Sequence, residues 1–287
     1  MANQDAKTWF ITGAARGLGF QVAHSAAKAG DNVVVTGRNI EALRAAYKGY
    51  GANLLALELD VRQQDQIEHS VRQAVEHFGR IDVLVNNAGY GQLGIFEEIA
   101  EQKIEAQFQT NVFGLMAVTR AVLPYMREQK AGHIINLSSI GGVFGVDGAS
   151  VYCATKFAVE GFSECLALEV KQFGIGVTIV EPGFFRTDFL DPSSVSYGDH
   201  QLEDYKAYSE QVTGSYQNHN HQQAGDPVKF GQVVVSLANE ATPPLRFAAG
   251  SDAIELLDKA YRSRLKELED WDHLSTTTDI NLHRYAI

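Results

Sequence analysis

Seven short apolar runs recur along the chain, and each is followed by a turn and then by the periodic apolar spacing of an amphipathic helix. The runs read TWFIT, NVVVT, LLALEL, IDVLVN, GHIINLS, GVTIVE and LRFAAG. Because they are apolar throughout rather than at alternate positions, they indicate strands buried on both faces, as in a parallel sheet covered by helices. The pattern therefore predicts one α/β domain over residues 1–287, with a doubly wound, mostly parallel seven-stranded sheet and right-handed crossovers.

One segment, residues 188–225, interrupts this rhythm between the sixth apolar run and a later helix. It begins with turn residues and continues with a polar, tyrosine-containing stretch of helical character. Long insertions in compact domains are often active-site lids, so we predict that this segment is a substrate lid. A structural insertion that touches no ligand is the alternative.

Composition narrows the class of protein. With 287 residues, 45% of them hydrophobic and 21% charged, the chain has the make-up of a soluble globular protein with a large core. The net charge of −11 argues against a general nucleic-acid or anionic-membrane surface. The sequence has no signal or transit pattern and no apolar run of about 20 residues, so we expect a cytoplasmic protein. Cys153 and Cys165 are too few for a disulfide framework, and we expect two packing thiols in a reducing setting.

A glycine-rich turn, TGAARGLG, follows the first apolar run and leads into a helix. Glycines let the backbone approach a pyrophosphate closely, and the N-terminus of the next helix offers free N–H groups to it. Strand, turn, helix and strand follow in the order that dinucleotide binding requires, although a tight strand–helix turn is the alternative. We therefore predict cofactor contacts from Gly13, Arg16, Gly17, Leu18 and Gly19.

A tyrosine and a lysine, Tyr152 and Lys156, are four residues apart in a stretch with helical pattern. Positions four apart in a helix are stacked neighbours, so the phenol and the ammonium share one patch of surface. A nearby cation favours the phenolate, which lowers the pKa of the tyrosine and suits it to exchange a proton with a substrate. Taken alone, a tyrosine and a lysine at this spacing are more often an ordinary surface pair, so the rest of the chain must decide.

Six motifs together resemble the short-chain dehydrogenase/reductase family in order and spacing, from about Lys7 to Gly250. They are the glycine turn, NNAG at 86–89, Asn111, SS at 138–139, Tyr152-x-x-x-Lys156 and PGFFRT at 182–187. The region around Tyr152 is similar to hydroxysteroid-dehydrogenase-like and carbonyl-reductase-like members. The resemblance implies a Rossmann-type fold and an NADP(H)-dependent oxidoreductase that interconverts a carbonyl and an alcohol by hydride transfer, with the tyrosine as general acid and base.

The resemblance also implies the catalytic set. Ser139 stands thirteen residues before Tyr152, which selects it over Ser138 as the group that hydrogen-bonds the substrate oxygen. Tyr152 would transfer the proton, and Lys156 would hold the nicotinamide ribose and lower the tyrosine pKa. Asn111 would anchor a water that passes protons toward Lys156, and an amide that only satisfies helix backbone is its alternative.

Further cofactor contacts are implied in the same way. Asp60, with Val61, would meet the adenine ring, although Asp60 alone also suits a turn at a strand end. The other implied positions are Asn87, Ala88 and Gly89 near the adenosine ribose, and Pro182, Gly183 and Thr187 around the nicotinamide.

The charge of the residues at the end of the second apolar run indicates whether the protein prefers NADP(H) or NAD(H). NAD users place an acidic residue there, and this chain has Gly37. Arg38 follows, and Arg16 precedes the second glycine of the turn; in the family, basic residues at these places accompany NADP. Two guanidinium groups converging on a 2′-phosphate favour NADP(H) and make NAD(H) the less expected cofactor, unless both arginines are solvated loop residues.

The substrate wall is expected from Tyr90–Leu93, Ile140–Phe144, Phe184, Phe185 and residues 188–225. Its apolar and aromatic character predicts a small hydrophobic ketone, aldehyde or alcohol. Two rival functions remain open: an NADP-sensing binding protein without catalysis, and an isomerase or epimerase that oxidises its substrate transiently.

Partners and metals are less well specified. His200, His219 and His221 lack a third ligand at suitable spacing, so we expect lid-surface residues and no metal. The resemblance implies a homodimer or homotetramer formed through the helices that carry Asn111 and Tyr152. The C-terminal WDHLSTTTDINLHRYAI is expected either to pack on a partner or to fray.

Overall fold

The seven apolar runs form a single sheet in a computed structural model, which describes residues 6–280 of the chain. The strands of this sheet, together with two short strands outside it, are β1 (Thr8–Ile11), β2 (Asn32–Gly37), β3 (Leu54–Glu58), β4 (Val83–Asn86), β5 (Gly91–Gln92), β6 (Gly132–Leu137), β7 (Ile175–Pro182), β8 (Val195–Ser196) and β9 (Arg246–Ala249). The sheet order is β3-β2-β1-β4-β6-β7-β9, and every neighbouring pair is parallel. The predicted doubly wound sheet is confirmed, and it is parallel throughout rather than mostly parallel.

Helices cover both faces of the sheet. They are α1 (Gly17–Lys28), α2 (Ile40–Ala46), α3 (Gln64–Phe78), α4 (Glu101–Phe108), α5 (Leu115–Gln129), α6 (Ser150–Val170), α7 (Lys206–His219), α8 (Pro227–Asn239) and α9 (Ser251–Ser275). One face packs on α1, α2 and α8, and the other on α3, α5 and α6. Within β1, Trp9 and Ile11 point to the first layer and Phe10 to the second, which is why the run is apolar at every position.

The strand order reverses between β1 and β4. The chain lays β1, β2 and β3 toward one edge and then returns to place β4 on the other side of β1. The connections that leave the carboxyl ends of β1 and β4 therefore diverge, which opens a crevice at that edge of the sheet. The glycine turn follows β1, and the NNAG stretch begins at the last residue of β4, so both predicted cofactor motifs lie at this crevice.

The segment 188–225 begins with turns and contains one helix, as its composition predicts. A short 3₁₀ turn (Asp188–Leu190) precedes β8, and α7 follows. Strand β8 pairs in parallel with β5 and not with the main sheet, an arrangement that its sequence did not predict. This two-stranded ladder fixes the segment to the loop that follows β4.

The cysteines and the C-terminal region differ in part from expectation. Cys153 is buried, but Cys165 on the same helix is exposed, so the prediction of two packing thiols is wrong for Cys165. The reason is its position on the outer side of α6, where its neighbours one turn away, Gly161 and Leu168, are also exposed. The predicted C-terminal segment is helical to Ser275 and ends in a 3₁₀ turn (Thr276–Thr278), and its last residues, 281–287, lie outside the described part of the chain.

Candidate active site

A cavity of about 800 Å³ lies at the carboxyl ends of the strands and runs from the glycine turn to Tyr152. Almost all the predicted site residues line it: Gly13, Arg16, Gly17, Leu18, Arg38, Asp60, Val61, Asn87, Ala88, Gly89, Ser139, Tyr152, Lys156, Pro182, Gly183 and Thr187. Gly19 and Asn111 are not among the residues that line it. The topology therefore brings together residues that are more than 170 positions apart in sequence.

The glycine turn has no room for side chains. Gly13 has φ +65°, and a Cβ there would lie 2.8 Å from the Cα of Ala88. Gly17 also has positive φ, and a Cβ on Gly19 would lie 2.3 Å from Nδ2 of Asn87. Arg16, the residue before α1, makes no side-chain hydrogen bond that caps this helix, so the N–H groups of its first turn face the cavity uncapped. The turn thus has the bare backbone and the helix N-terminus that a pyrophosphate requires.

Asn87 holds the glycine turn against the loop after β4. Its amide nitrogen donates to the carbonyl oxygens of Thr12 and Gly13, each at 2.9 Å. The Thr12 hydroxyl in turn accepts from the backbone N–H groups of Asn87 and Ala88, each at 3.0 Å. These bonds tie together the connections that leave β1 and β4, and they give Asn87 a scaffolding function in this structure.

Tyr152 and Lys156 lie on the same side of α6, as their spacing predicts. The Lys156 amino group is 5.7 Å from the centre of the Tyr152 ring and donates to the carbonyl oxygen of Leu137 at 2.6 Å. Ser139 is the second residue after β6 and lies beside them, with its hydroxyl accepting from the N–H of Gly141 at 3.1 Å.

Burial governs the protonation of this group. It raises the pKa of Tyr152 to about 12, although a hydrogen bond with Ser139 opposes the shift. It also lowers the pKa of Lys156 to about 8, although the Glu160 carboxyl opposes that shift. The expected lowering of the tyrosine pKa by Lys156 is therefore not seen in this structure, where burial of the phenol outweighs the opposing hydrogen bond with Ser139.

Asn111 is not in a regular α-helix but in a π-helical turn (Gln109–Gly114) between α4 and α5. Its carbonyl oxygen accepts from the N–H of Tyr90 at 3.2 Å, and its amide donates to the Tyr90 carbonyl at 3.0 Å and to Thr155 at 3.2 Å. The side chain therefore forms hydrogen bonds with backbone groups, as its alternative role predicts. These groups belong to the loop at Tyr90 rather than to a helix. Its role toward a water stays a prediction.

The far end of the cavity from Tyr152 carries an exposed ion pair. Asp60 accepts from the Arg62 guanidinium at 2.6 to 3.1 Å and from its backbone N–H at 3.0 Å, which is the strand-end turn offered as its alternative role. These bonds hold the pKa of the Asp60 carboxyl below its usual range. Arg38 is close enough to lower the pKa of Asp60 further and to oppose the rise that burial gives Tyr90. Sequence reasoning missed Arg62, whose only signal is a basic residue two positions after the strand-end acid.

Arg16 extends across the cavity to the segment 188–225. Its guanidinium donates to the hydroxyl of Ser193 at 2.7 Å and to the carbonyl oxygen of Ser193 at 2.9 Å. Arg38 lines the same cavity and takes no part in these bonds. Their predicted convergence on one phosphate stays a prediction.

The loop after β7 forms another wall. Gly183 leaves no room for a side chain, because a Cβ there would lie 2.3 Å from Asp252, whose carboxylate accepts from the N–H of Phe184 at 2.7 Å. Thr187 begins the next 3₁₀ turn and accepts from the N–H of Phe189 at 3.3 Å. Pro182, the last residue of β7, completes this wall.

The cavity near Tyr152 is mostly apolar. The Phe189 ring centre lies 5.6 Å from that of Tyr152. Val143 and Phe144, predicted to belong to the substrate wall, pack instead on the first half of α9, because the 3₁₀ turn after Ser139 directs them away from the cavity. Val146 and Ala149, which sequence reasoning missed, line the cavity in their place. From the predicted segment 188–225, the wall includes Phe189, Leu190, Val195 and Tyr216.

A buried cluster of charges lies behind the catalytic end of the cavity. Arg246 on β9 pairs with Glu160 on α6, with Glu181 on β7 at 2.7 Å and with Glu164 at 2.6 Å. Burial raises the pKa of Glu160 and of Glu181, although Arg246 opposes both shifts. Glu160 is one helical turn from Lys156, so the cluster reaches the catalytic set from behind.

Residues 6–280 contain neither a metal-binding cluster nor a membrane-spanning helix. In this range no group of three or more His, Cys, Asp or Glu side chains is arranged to hold a metal ion. No described helix combines the length and apolarity needed to cross a membrane. His200, His219 and His221 are exposed.

A fully parallel sheet, a glycine turn at the point where its order reverses, and a Tyr–Lys pair facing the same cavity define the class of dinucleotide-dependent oxidoreductases. Residues 7–197 match the family described as short chain dehydrogenase. The chain belongs to the short-chain dehydrogenase/reductase family, as the six motifs predict.

Similar proteins support this assignment over nearly the whole chain. Oxidoreductase BOA17 of Botryotinia fuckeliana is 39% identical over 94% of this chain and 98% of its own. A 3-ketodihydrosphingosine reductase of Bacteroides thetaiotaomicron is 38% identical over 84% of this chain and 86% of its own. A short-chain dehydrogenase structure from Streptomyces avermitilis superimposes with a TM-score of 0.88 at 38% identity, over 96% of this chain and 100% of that one. The structure of ElxO with NADP bound gives 0.69 at 30% identity, over 83% and 93%.

Proposed function

We propose that the protein is an NADP(H)-dependent oxidoreductase that interconverts a small hydrophobic ketone or aldehyde with its alcohol. One observation carries the proposal: a single cavity joins the glycine turn to Ser139, Tyr152 and Lys156. A dinucleotide held by its pyrophosphate at one end would extend toward the group that handles protons at the other. When bound, the nicotinamide supplies or accepts the hydride.

The residues at the catalytic end divide the proton chemistry. Ser139 donates a hydrogen bond to the substrate oxygen, and Tyr152 gives its proton to that oxygen in reduction and takes it back in oxidation. A tyrosine pKa near 12 keeps the phenol protonated at neutral pH, which suits it as the acid for reduction. Lys156, with a pKa near 8, is mostly charged at pH 7, so it orients the ribose and stabilises the phenolate that oxidation needs. We assign Asn111 to the water that relays protons to Lys156.

The basic residues at the other end favour NADP(H) over NAD(H). Gly37 ends β2 and provides no carboxylate to accept a ribose hydroxyl or repel a phosphate. Arg38, with Arg62 beside it and Arg16 across the cavity, offers guanidinium groups for a 2′-phosphate. The NADP complex of ElxO, a structural neighbour, agrees with this assignment. The remaining cofactor contacts follow the predicted positions on the β3, β4 and β7 loops.

We further propose that residues 188–225 are the substrate lid. Three features of the segment support this role: the β5–β8 ladder, the Arg16 bonds to Ser193, and the cavity-lining side chains of Leu190, Val195 and Tyr216. Because these side chains are largely apolar, the lid supplies contacts for a hydrophobic substrate and excludes water from the hydride path. The similarity to a 3-ketodihydrosphingosine reductase makes hydrophobic ketones the first class to test.

The experiment is an NADPH-oxidation assay over a panel of ketones and aldehydes of increasing chain length, with the alcohols assayed in reverse using NADP. We expect turnover of at least one hydrophobic carbonyl compound and weaker turnover of short, polar ones. NADPH binding measured by fluorescence serves as the control for a folded site. Binding without turnover of any compound would favour the sensing protein, and a nicotinamide that stays bound through purification would favour the isomerase.

A further inference from the structure

The second half of α9 carries an apolar stripe that is uncovered in the described part of the chain. In the first half, Ala253 and Leu257 are buried against the 3₁₀ turn after Ser139. From residue 261 to residue 280, every position is exposed. The helix continues for about four turns beyond its packed first half. Within these turns Arg264 reaches back to the body of the protein, where its guanidinium donates to the carbonyl oxygen of Val143 and lies over the Phe157 ring.

The α9 stripe consists of Tyr261, Leu265, Leu268 and Trp271, which are 40%, 60%, 70% and 59% exposed. Their spacing of four, three and three residues places them within about 120° of the helix circumference. A stripe of this width is typical of a helix that packs against another element. Single exposed apolar residues need no explanation, but four in register on a projecting helix do.

Apart from these contacts of Arg264, the second half of α9 has little support of its own. Two exposed ion pairs brace it, Arg262 to Asp258 and Lys266 to Asp270, each at 2.7 Å. Exposed pairs of this kind contribute little, and helices in proteins are stabilised mainly by packing of an apolar face. A partner that covers the stripe would supply this packing.

Charge along the helix identifies the partner. The stretch 259–266 contains only basic charges, and the stretch 267–272 contains only acidic ones. The basic residues are Lys259, Arg262, Arg264 and Lys266, and the acidic ones are Glu267, Glu269, Asp270 and Asp272. A second copy of the helix laid antiparallel puts each basic stretch against an acidic one, whereas a parallel copy puts like charges together.

We propose that the α9 stripe is an interface with a second copy of this chain, paired antiparallel about a two-fold axis between Leu265 and Leu268. In this arrangement Leu265 packs on Leu268 of the second copy, and the same contact recurs on the other side of the axis. Arg262 and Glu269 lie on the same side of the stripe, so Arg262 meets Glu269 of the second copy. The interface is separate from the helices that carry Asn111 and Tyr152, and both can exist in one tetramer.

The first test is the assembly state of the purified full chain, measured by sedimentation velocity over a range of concentrations. The double substitution Leu265→Glu with Leu268→Glu buries carboxylates at the axis. We expect it to halve the size of the assembly or to raise its dissociation constant about 100-fold. The matched control is Leu274→Glu, the same change at a leucine of this helix that points half a turn away from Leu265, and it should leave the assembly unchanged.

The second test is a charge reversal that reports on register. Arg262→Glu places two acids together across the axis and should weaken the assembly, and adding Glu269→Arg should restore it. A wild-type chain that is monomeric, or an assembly unaffected by the double leucine substitution, would overturn the proposal. So would a monomer that floats with neutral phosphatidylcholine vesicles in a Leu268-dependent manner, because the stripe would then contact lipid.

Discussion

An arginine pairs with one carboxylate at the adenosine end of the cavity and with three behind its catalytic end, and the carboxyl groups of the two clusters behave in opposite ways. At the adenosine end, the side chains of Arg62 and Asp60 are 40% and 16% exposed, and the pKa of Asp60 is lowered. Behind the catalytic end, the side chains of Glu160 and Glu181 are 7% and 3% exposed, and their pKa values are raised despite Arg246. The pKa of a carboxyl group paired with arginine therefore shifts in the direction set by its access to water. Desolvation outweighs the effect of pairing only where burial is nearly complete.

This difference suggests a division of labour. The exposed arginines can exchange their protein and solvent contacts for a ligand phosphate at small cost. The buried cluster cannot rearrange without leaving a charge unpaired, so it holds α6, β7 and β9 in a fixed relation beneath Tyr152 and Lys156. Each of the following changes tests one side of this contrast.

The largest effect is expected at the catalytic end, from Tyr152→Phe. The change removes the proton donor and keeps the ring volume, so turnover of any accepted carbonyl substrate should fall about 10²–10⁴-fold. NADPH affinity should change little. The control is Tyr216→Phe, another tyrosine of the cavity wall, which should retain most of the activity. Near-normal turnover in Tyr152→Phe would refute the proposed role.

The next largest effect is expected from Arg246→Ala, as a loss of folding stability. It leaves two buried carboxylates without their cation, and removing one partner of a buried pair typically costs about 3–5 kcal/mol. The matched change at the exposed end, Arg62→Ala, should cost about 1 kcal/mol or less. Urea unfolding of both variants measures the difference. Equal losses would show that burial does not separate the two clusters.

A smaller effect is expected for cofactor choice. We expect kcat/KM for NADPH to exceed that for NADH by about tenfold or more, which corresponds to about 1.4 kcal/mol. Arg38→Asp should reverse most of this preference, because a carboxylate accepts the ribose hydroxyl and repels the phosphate. Arg38→Gln is the control that removes the cation without adding an anion, and it should only equalise the two. Comparable values in the unmodified protein would contradict the assignment.

The smallest expected effect is the pH dependence of stability. Glu160 and Glu181 have raised pKa values in the folded state. Their contribution to the free energy of unfolding is therefore full at a pH below their pKa in the unfolded chain, and it is lost as the pH rises through their pKa in the folded protein. As the pH rises above the ordinary glutamate pKa, Glu160→Gln should therefore flatten the fall of the unfolding free energy with pH. Asp60 has a lowered pKa, so its contribution is lost only on acidification and Asp60→Asn should not alter that slope. A slope unchanged by Glu160→Gln would argue against the raised pKa.

The sequence predicted what depends on local pattern and order. Runs such as NVVVT are apolar at every position because helices cover both faces of the sheet. This continuous apolar pattern predicted the strands and the parallel sheet. The glycine turn and Tyr152 with Lys156 were found for the same reason, since their spacing is local. That they face one cavity follows from the order of the strands, which the alternation of strand and helix implies.

What the sequence did not predict depends on solvent access and distant contacts. The buried cluster joins residues on α6, β7 and β9, and neither Glu160 nor Arg246 carries a local sign of its partner. The pKa of Tyr152 depends on how completely it is buried, which spacing cannot report. Arg62 and Val146 line the cavity through loop geometry, and the turn after Ser139 sends Val143 elsewhere.

The position of Arg246 late in the chain has a consequence for protein synthesis. Arg246 follows Glu160 by 86 residues and Glu181 by 65, so the ribosome releases both acids well before their cation. Until β9 docks at the edge of the sheet, α6 and β7 can complete their packing only by protonating these acids or leaving them in water. The half of the sheet that carries the candidate catalytic residues should therefore consolidate last, and chains that stop before β9 should be preferred substrates for cellular proteases.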